Sequence, residues 1–333
     1  MGRVILIAGA ARSGTSALAG ALGVCGVELG SNHLPANRYN PKGYCELAKI
    51  ISLHDRCLDA LDRAWDSVSF LPDGWQNSEA AGIARKKIRE VITLEFAGKD
   101  LWAVKDARLC PLLPLWIDEF PEQDLRVIVP LRHPFEVAHS LARFNGKSWT
   151  ESLLYWLFTL FESERNTRQL RRVQTTYAEL LSDPVALMHR IEGALDVSFP
   201  CPAAERFANL KAWVEPGMCR FKPQHPSPSE PGLESLKALA HSVYHQFVTD
   251  NLMAHPTRVD SLFEQCFGAT YLSLATALEK KQRRAEKARH LLQTRMNSAE
   301  AWIKGPWLQQ AFHRWNDPSH PRARLGFGDR LAN

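Results

Sequence analysis

Apolar residues run along this chain in two rhythms. Short runs read as strands at Arg3–Ala8 (RVILIA), an unbroken apolar one, and at Leu101–Lys105 (LWAVK), Leu125–Leu131 (LRVIVPL) and Val173–Tyr177 (VQTTY). An unbroken run is the kind that a parallel sheet buries on both faces. Between them, apolar residues recur every three or four positions, which predicts helices. The expected spans are Ala17–Leu22 and onward, Glu46–Leu61, Glu79–Phe96, Pro111–Phe120, Pro134–Phe144, Trp149–Arg171 and Pro184–Leu195. Pro134 suits a first helical position, where its missing N–H costs nothing. Gly26–Cys45 and Ser67–Ser78 are punctuated by Gly, Asn and Pro and read as loops. Strand alternating with helix predicts an α/β fold in three layers, a central parallel sheet with helices on both faces. Ligands of such sheets sit at the carboxyl ends of the strands.

After Pro200 the pattern changes. Cys219–Gly232 is rich in proline and reads as an irregular loop. Gly232–Asn251 and Arg258–Met296 read as helices, so the expected division is a domain over 1–255 and a helical, basic C-terminal extension over 256–333. Between Glu279 and Arg295 seven Lys/Arg stand against two Glu. This reads first as a solvated helix face, and as a surface open to a second copy or another partner.

The strand ends carry the candidate chemistry. Gly9-Ala10-Ala11-Arg12-Ser13-Gly14-Thr15-Ser16 follows the first strand and precedes a helix. That order aims backbone N–H groups and a positive helix end at an anion. The spacing fits the phosphate loop G-x-x-x-x-G-K-[ST] except that Thr15 stands at the lysine position. A nucleotide kinase needs that lysine on the phosphates, so the departure counts against that class. Lys105-Asp106, Arg132 and Tyr177 fall at the ends of the other three strands. The net charge of +5 suits an anionic ligand without demanding nucleic acid. Seven scattered cysteines with no C-x-x-C suggest a reducing compartment and neither a disulfide framework nor a zinc site. With no apolar run near the length of a membrane span, and a first strand at the very start, a cytoplasmic protein without an integral membrane segment is expected.

Four stretches, in order, resemble the motifs of sulfotransferases that use 3′-phosphoadenosine 5′-phosphosulfate (PAPS), especially bacterial members. Gly9–Leu18 resembles their 5′-phosphosulfate loop. Arg132-His133-Pro134, with Ser140 eight residues after the arginine, resembles their 3′-phosphate motif. Tyr177-Ala178-Glu179-Leu180-Leu181-Ser182-Asp183-Pro184 is similar to their Tyr-Glu-x-Leu-x-x-x-Pro stretch, with the Glu one place late. Asn40-Pro41-Lys42-Gly43-Tyr44-Cys45-Glu46 is similar to an acceptor-side loop. The resemblance covers about residues 3–195 and implies a P-loop-like fold that binds PAPS and releases adenosine 3′,5′-bisphosphate (PAP).

On that resemblance, the amides of Ser13, Gly14 and Thr15 and the hydroxyls of Thr15 and Ser16 hold the 5′ end. Arg12 follows the sulfuryl and bridging oxygens. Arg132 and Ser140 hold the 3′-phosphate, and Tyr177 lies near the adenine. No metal is implied. The acceptor is a hydroxyl or amine of a carbohydrate, lipid or small molecule, recognised by Gly26–Tyr44, Ser67–Ser78 and Cys219–Gly232. The general base is one of Glu46, Asp106 and His54, with Glu46 favoured because cations flank Asp106; Lys105 stabilises the transferring group. The competing readings are a P-loop nucleotide or metabolite kinase and a non-catalytic PAP-binding scaffold.

Overall fold

Strand β1 (Arg3–Ile7) leads through the glycine loop into α1 (Thr15–Val24). This is a computed structural model, in which residues 2–37, 40–120, 124–219 and 221–268 are described. In chain order there follow α2 (Ala48–Ala60), α3 (Glu79–Phe96), β2 (Leu101–Lys105), α4 (Leu109–Ile117) and β3 (Leu125–Leu131). Next come α5 (Pro134–Asn145), α6 (Trp149–Asn166), β4 (Arg171–Thr176), α7 (Tyr177–Ser182) and α8 (Pro184–Leu195). The last are α9 (Ala203–Trp213), α10 (Leu233–Thr249) and α11 (Pro256–Phe267). All described residues belong to one unit, Met1–Thr276. The basic stretch Glu279–Arg295 lies outside the described residues.

The four strands pair in the order β2-β1-β3-β4, all parallel, so β1 is interior as expected. Register sorts the side chains onto two faces. Ile5 stands opposite Ala103, and Ile7 opposite Ile128, which in turn faces Val173. This set packs on Leu18 and Leu22 of α1, Leu180 of α7, and Leu187 and Ile191 of α8. The alternate set includes Val4, paired with Trp102, and Leu6, paired with Val104. Phe96 of α3 stacks on Trp102 with ring centroids 4.5 Å apart. Helices therefore cover both faces, which is why β2 and β3 are buried along their whole length.

The departures from the sequence reading have local causes. The α6 helix ends at Asn166, before Arg171, because its end is tied by side chains. Thr167 Oγ1 donates to the Ser163 carbonyl at 2.6 Å and Arg172 Nη1 to the Glu164 carbonyl at 2.6 Å. Both arginines expected to sit at the helix end or beyond it thereby fall in β4. The α4 helix starts at Leu109, two residues before Pro111, since the first turn of a helix has no intrahelical use for its N–H groups. Helix α9 was not anticipated. Its polar sequence shows little periodicity, yet Trp213 at its end packs so tightly on α1 that a Cβ on Gly20 would lie 1.9 Å from the indole. The Arg258–Met296 helix is seen as α11 within the described residues. There Phe263 and Phe267 each sit 5.6 Å from Phe70.

Candidate active site

Two close approaches shape the loop after β1. A Cβ on Gly9 would lie 2.9 Å from the Pro130 carbonyl oxygen on β3. At Gly14 φ is +83°, and a Cβ there would lie 2.2 Å from the Tyr177 ring. Arg12 also adopts a left-handed backbone, φ 70°, which costs a non-glycine residue about 1–2 kcal/mol. From below, the buried Tyr155 hydroxyl accepts the Ala11 N–H at 3.1 Å. The turn delivers α1 with no side-chain cap and no acidic residue in its first turn. Such a start leaves its first amides and the positive dipole end without a side-chain partner, a setting that suits an anion.

Arg132 follows β3 and is buried. Its Nε donates to Glu136 at 2.7 Å and its Nη1 to the Arg12 carbonyl at 3.1 Å. Its guanidinium lies 4.4 Å from the centre of the Tyr177 ring. Its Nη2 is buried with no hydrogen-bond partner. A buried guanidinium nitrogen left so can still donate to an acceptor that enters the cavity. Ser140, two turns into α5, accepts from Arg12 Nε at 2.8 Å.

Tyr177 opens α7 where a strand end was expected. The cause is a capping box: Thr176 Oγ1 accepts the Glu179 N–H at 3.1 Å, and the Glu179 carboxylate accepts the Thr176 N–H at 2.7 Å. Glu179 is therefore the partner of Thr176 at the start of α7. The Tyr177 hydroxyl donates to the Met218 carbonyl at 3.0 Å. Burial raises its pKa, and Arg132 opposes that rise.

These groups line one cavity of about 460 Å³. Arg12, Gly14, Thr15, Ser16, Arg132 and Ser140 form one part of its wall, together with Tyr177. Lys105 and Glu46 face it as well, and both are buried. Lys105 Nζ donates to Glu46 Oε1 at 2.5 Å and to Ser16 Oγ at 3.3 Å. A cation–carboxylate pair is thus joined to the phosphate-type loop through one hydroxyl.

Three residues stand elsewhere than the sequence suggested. Ser13 is not among the residues lining the cavity: its amide donates to Ala10 O at 3.1 Å, and its buried hydroxyl has no partner. The Arg12 side chain lies along Ser140 and 5.0 Å from the Phe144 ring centre, on the side of the 3′-phosphate motif. Asp106 does not line the cavity. It is buried behind β2, where it accepts from His54 Nδ1 at 2.7 Å, Arg108 Nη1 at 2.9 Å and the Arg108 amide at 3.1 Å. Burial pushes its pKa up, but His54 and Arg108 outweigh that and bring it down to about 2. The Trp116 indole donates to His54 Nε2 at 3.1 Å. That fixes the Nδ1–H tautomer of a fully buried ring, so both nitrogens of His54 are committed to structure.

Of the loops expected to recognise an acceptor, Leu34 and Asn40–Tyr44 line the cavity, as does Phe221. None of the described residues of Ser67–Ser78 does; Trp65, just ahead of them, takes that place. Trp213, Glu215, Gly217 and Met218 also line it. Sequence reading missed them, and the signal available was an indole and a glycine in an otherwise polar run. Among the described residues no group of three or more His, Cys, Asp or Glu is arranged to hold a metal ion. No described helix is long and apolar enough to cross a membrane.

No protein-family model matches this chain, and no curated protein matches it. Solved structures do. The sulfotransferase domain of the Synechococcus PCC 7002 olefin synthase is 18% identical, with a TM-score of 0.40 over 73% of this chain and 94% of that one. Sulfotransferase STF9 from Mycobacterium avium is 17% identical, with a TM-score of 0.42 over 74% of this chain and 77% of that one. A sulfotransferase from Alicyclobacillus acidocaldarius is 16% identical, with a TM-score of 0.38 over 73% and 94%. All three are bacterial sulfotransferases.

Proposed function

We propose that the protein is a PAPS-dependent sulfotransferase acting on a hydroxyl or amine of a small molecule, lipid or carbohydrate. The observation that carries this reading is the buried, unpartnered Nη2 of Arg132 in the same cavity as the uncapped start of α1. A ligand with an anionic group at each end of a nucleoside satisfies both. PAPS has that form, and it supplies the sulfuryl group. The motifs that resemble the family bring the same two places together.

The residues present fit such a donor. The amides of the first turn of α1 and the hydroxyls of Thr15 and Ser16 hold the 5′ end. Arg132 and Ser140 hold the 3′-phosphate, since a guanidinium fork suits phosphate oxygens. The Tyr177 ring, under Arg132, sits on the nucleoside side. Glu46 is the base: it lines the cavity and touches Lys105, whereas Asp106 is walled off and its pKa, about 2, makes it a poor proton acceptor. Lys105 keeps Glu46 in place and has a third N–H to direct at the sulfuryl oxygens, where charge grows during transfer.

The test is thermal stability with PAP, with ATP and Mg²⁺, and with neither. A ligand that binds only the folded protein raises the midpoint. A shift with PAP supports the proposal, and a shift with ATP–Mg²⁺ alone returns the chain to the kinase class. Transfer of labelled sulfuryl from PAPS to an acceptor mixture separates an enzyme from a PAP-binding scaffold.

A further inference from the structure

Lys42 belongs to the loop that carries Glu46, yet its contacts are with Trp213 and Glu215, far along the chain. Its Nζ donates to the Trp213 carbonyl oxygen at 2.5 Å and pairs with the Glu215 carboxylate at 2.7 Å. The ammonium also stands 4.8 Å from the Trp213 ring centre. The segment 213–218 is held from the donor side as well. Trp213 Nε1 donates to the Ala17 carbonyl, at the start of α1, at 2.9 Å. The Tyr177 hydroxyl holds Met218. Lys42 is therefore the joint between the acceptor-side loop and a segment pinned to donor-side residues. The Lys42–Glu215 pair is partly exposed, with side-chain exposures of 27% and 61%, so it is weak enough to open. The bond to a main-chain carbonyl and the ring face give it a fixed geometry.

We propose that Lys42 is a positioning residue that latches segment 213–218 over the donor part of the cavity and so limits how fast a bound nucleotide leaves. This rests on the sulfotransferase reading for the identity of the nucleotide. The segment cannot swing away from the acceptor-side loop without breaking the Lys42 bonds. The same bonds steady the turn before Glu46, in which Gly43 and Cys45 adopt left-handed backbones, φ 82° and 53°. Donor retention and placement of the base are thus joined through one ammonium.

The experiment uses the full chain and three variants, Lys42→Met, Lys42→Arg and Glu215→Gln. Lys42→Met keeps the aliphatic stem against Trp213 and removes the charge. Two readouts are taken: the PAP dissociation rate by stopped-flow displacement, and amide hydrogen exchange of Glu215, Gly217 and Met218 without nucleotide. Lys42→Met should speed PAP release about tenfold, the scale of one charge-assisted hydrogen bond, with the association rate within about twofold. It should also speed exchange in the segment. Lys42→Arg should restore both, and Glu215→Gln should fall between. Unchanged release and exchange in Lys42→Met overturn the latch. If the wild-type chain fails to bind PAP, the sulfotransferase reading falls and release control falls with it. The exchange readout still decides whether Lys42 holds the segment.

Discussion

The Arg132 guanidinium offers the most direct test, because its five donors can be accounted for separately. Nε is spent on Glu136 and one Nη1 hydrogen on the Arg12 carbonyl, which leaves three of the five donors, both of those on Nη2 among them. Hydrogen bonds to a charged group contribute about 1.5–3 kcal/mol each. One such bond to the 3′-phosphate should favour PAP over adenosine 5′-monophosphate by about 10- to 150-fold. Replacing Arg132 also strips a partner from Glu136 and from Arg12, so some loss of fold stability is expected with Arg132→Ala. Arg132→Lys retains the charge but cannot hold Glu136 and the phosphate at once. The assay is calorimetric titration of wild type and both variants with PAP and with adenosine 5′-monophosphate. The decisive quantity is the change in the ratio of the two affinities, since a general loss of fold weakens both ligands alike. The ratio should collapse in Arg132→Ala and fall partway in Arg132→Lys. An equal ratio in all three proteins refutes the assignment of the 3′-phosphate to Arg132.

Other substitutions probe the rest of the site. Glu46→Gln keeps an acceptor for Lys105 and removes the base, so sulfuryl-transfer turnover should fall by about 10²–10⁴-fold; PAP affinity by titration should stay within a few-fold. Gly14→Ala puts a Cβ 2.2 Å from the Tyr177 ring at φ +83°. It should lower stability in urea by about 1–2 kcal/mol from backbone strain alone, and a wild-type unfolding curve would contradict the loop geometry. Asp106→Asn breaks a buried ion pair and should cost about 3–5 kcal/mol. The pH sense follows from its depressed pKa of about 2, below an unfolded value of about 3.9. The stabilisation is full above the unfolded value and is lost as pH falls through 2, so wild type and Asp106→Asn should converge in acid unfolding curves.

The sheet was legible because β1, β2 and β3 are short, mostly apolar runs and the connections between strands carry helical periodicity. Arg3–Ala8, Leu101–Lys105 and Leu125–Leu131 are strands within a residue of where the pattern puts them. The cavity was legible where a motif sits at a strand end, since a parallel sheet delivers all its carboxyl ends to one edge. What escaped were features decided by contacts between distant parts of the chain. The place of Asp106 depends on His54 and Trp116 arriving from two different helices, and nothing near it in sequence says that it faces inward. Helix α9 lacks a strong apolar stripe, and its placement rests on Trp213 finding the gap left by Gly20. One missed feature was readable: Thr176-x-x-Glu179 is a capping box, and it places Tyr177 at a helix start.

The position of Arg12 bears on which cation serves the transfer step. The family resemblance puts Arg12 on the sulfuryl group, as the cation within the loop. In the structure its Nε donates to Ser140 and its carbonyl accepts from Arg132, so its charge lies beside those two residues. The cation next to the start of α1 is Lys105, which comes from the end of β2 and reaches Ser16. The register explains how: Ile7, the last residue of β1, pairs with Lys105. The strand neighbour thus ends level with the loop and can supply the positive charge that Thr15 does not. On the proposed reading the lysine missing from the loop is replaced in space by one from the adjacent strand. It arrives already paired with Glu46, the carboxylate proposed to take the acceptor's proton.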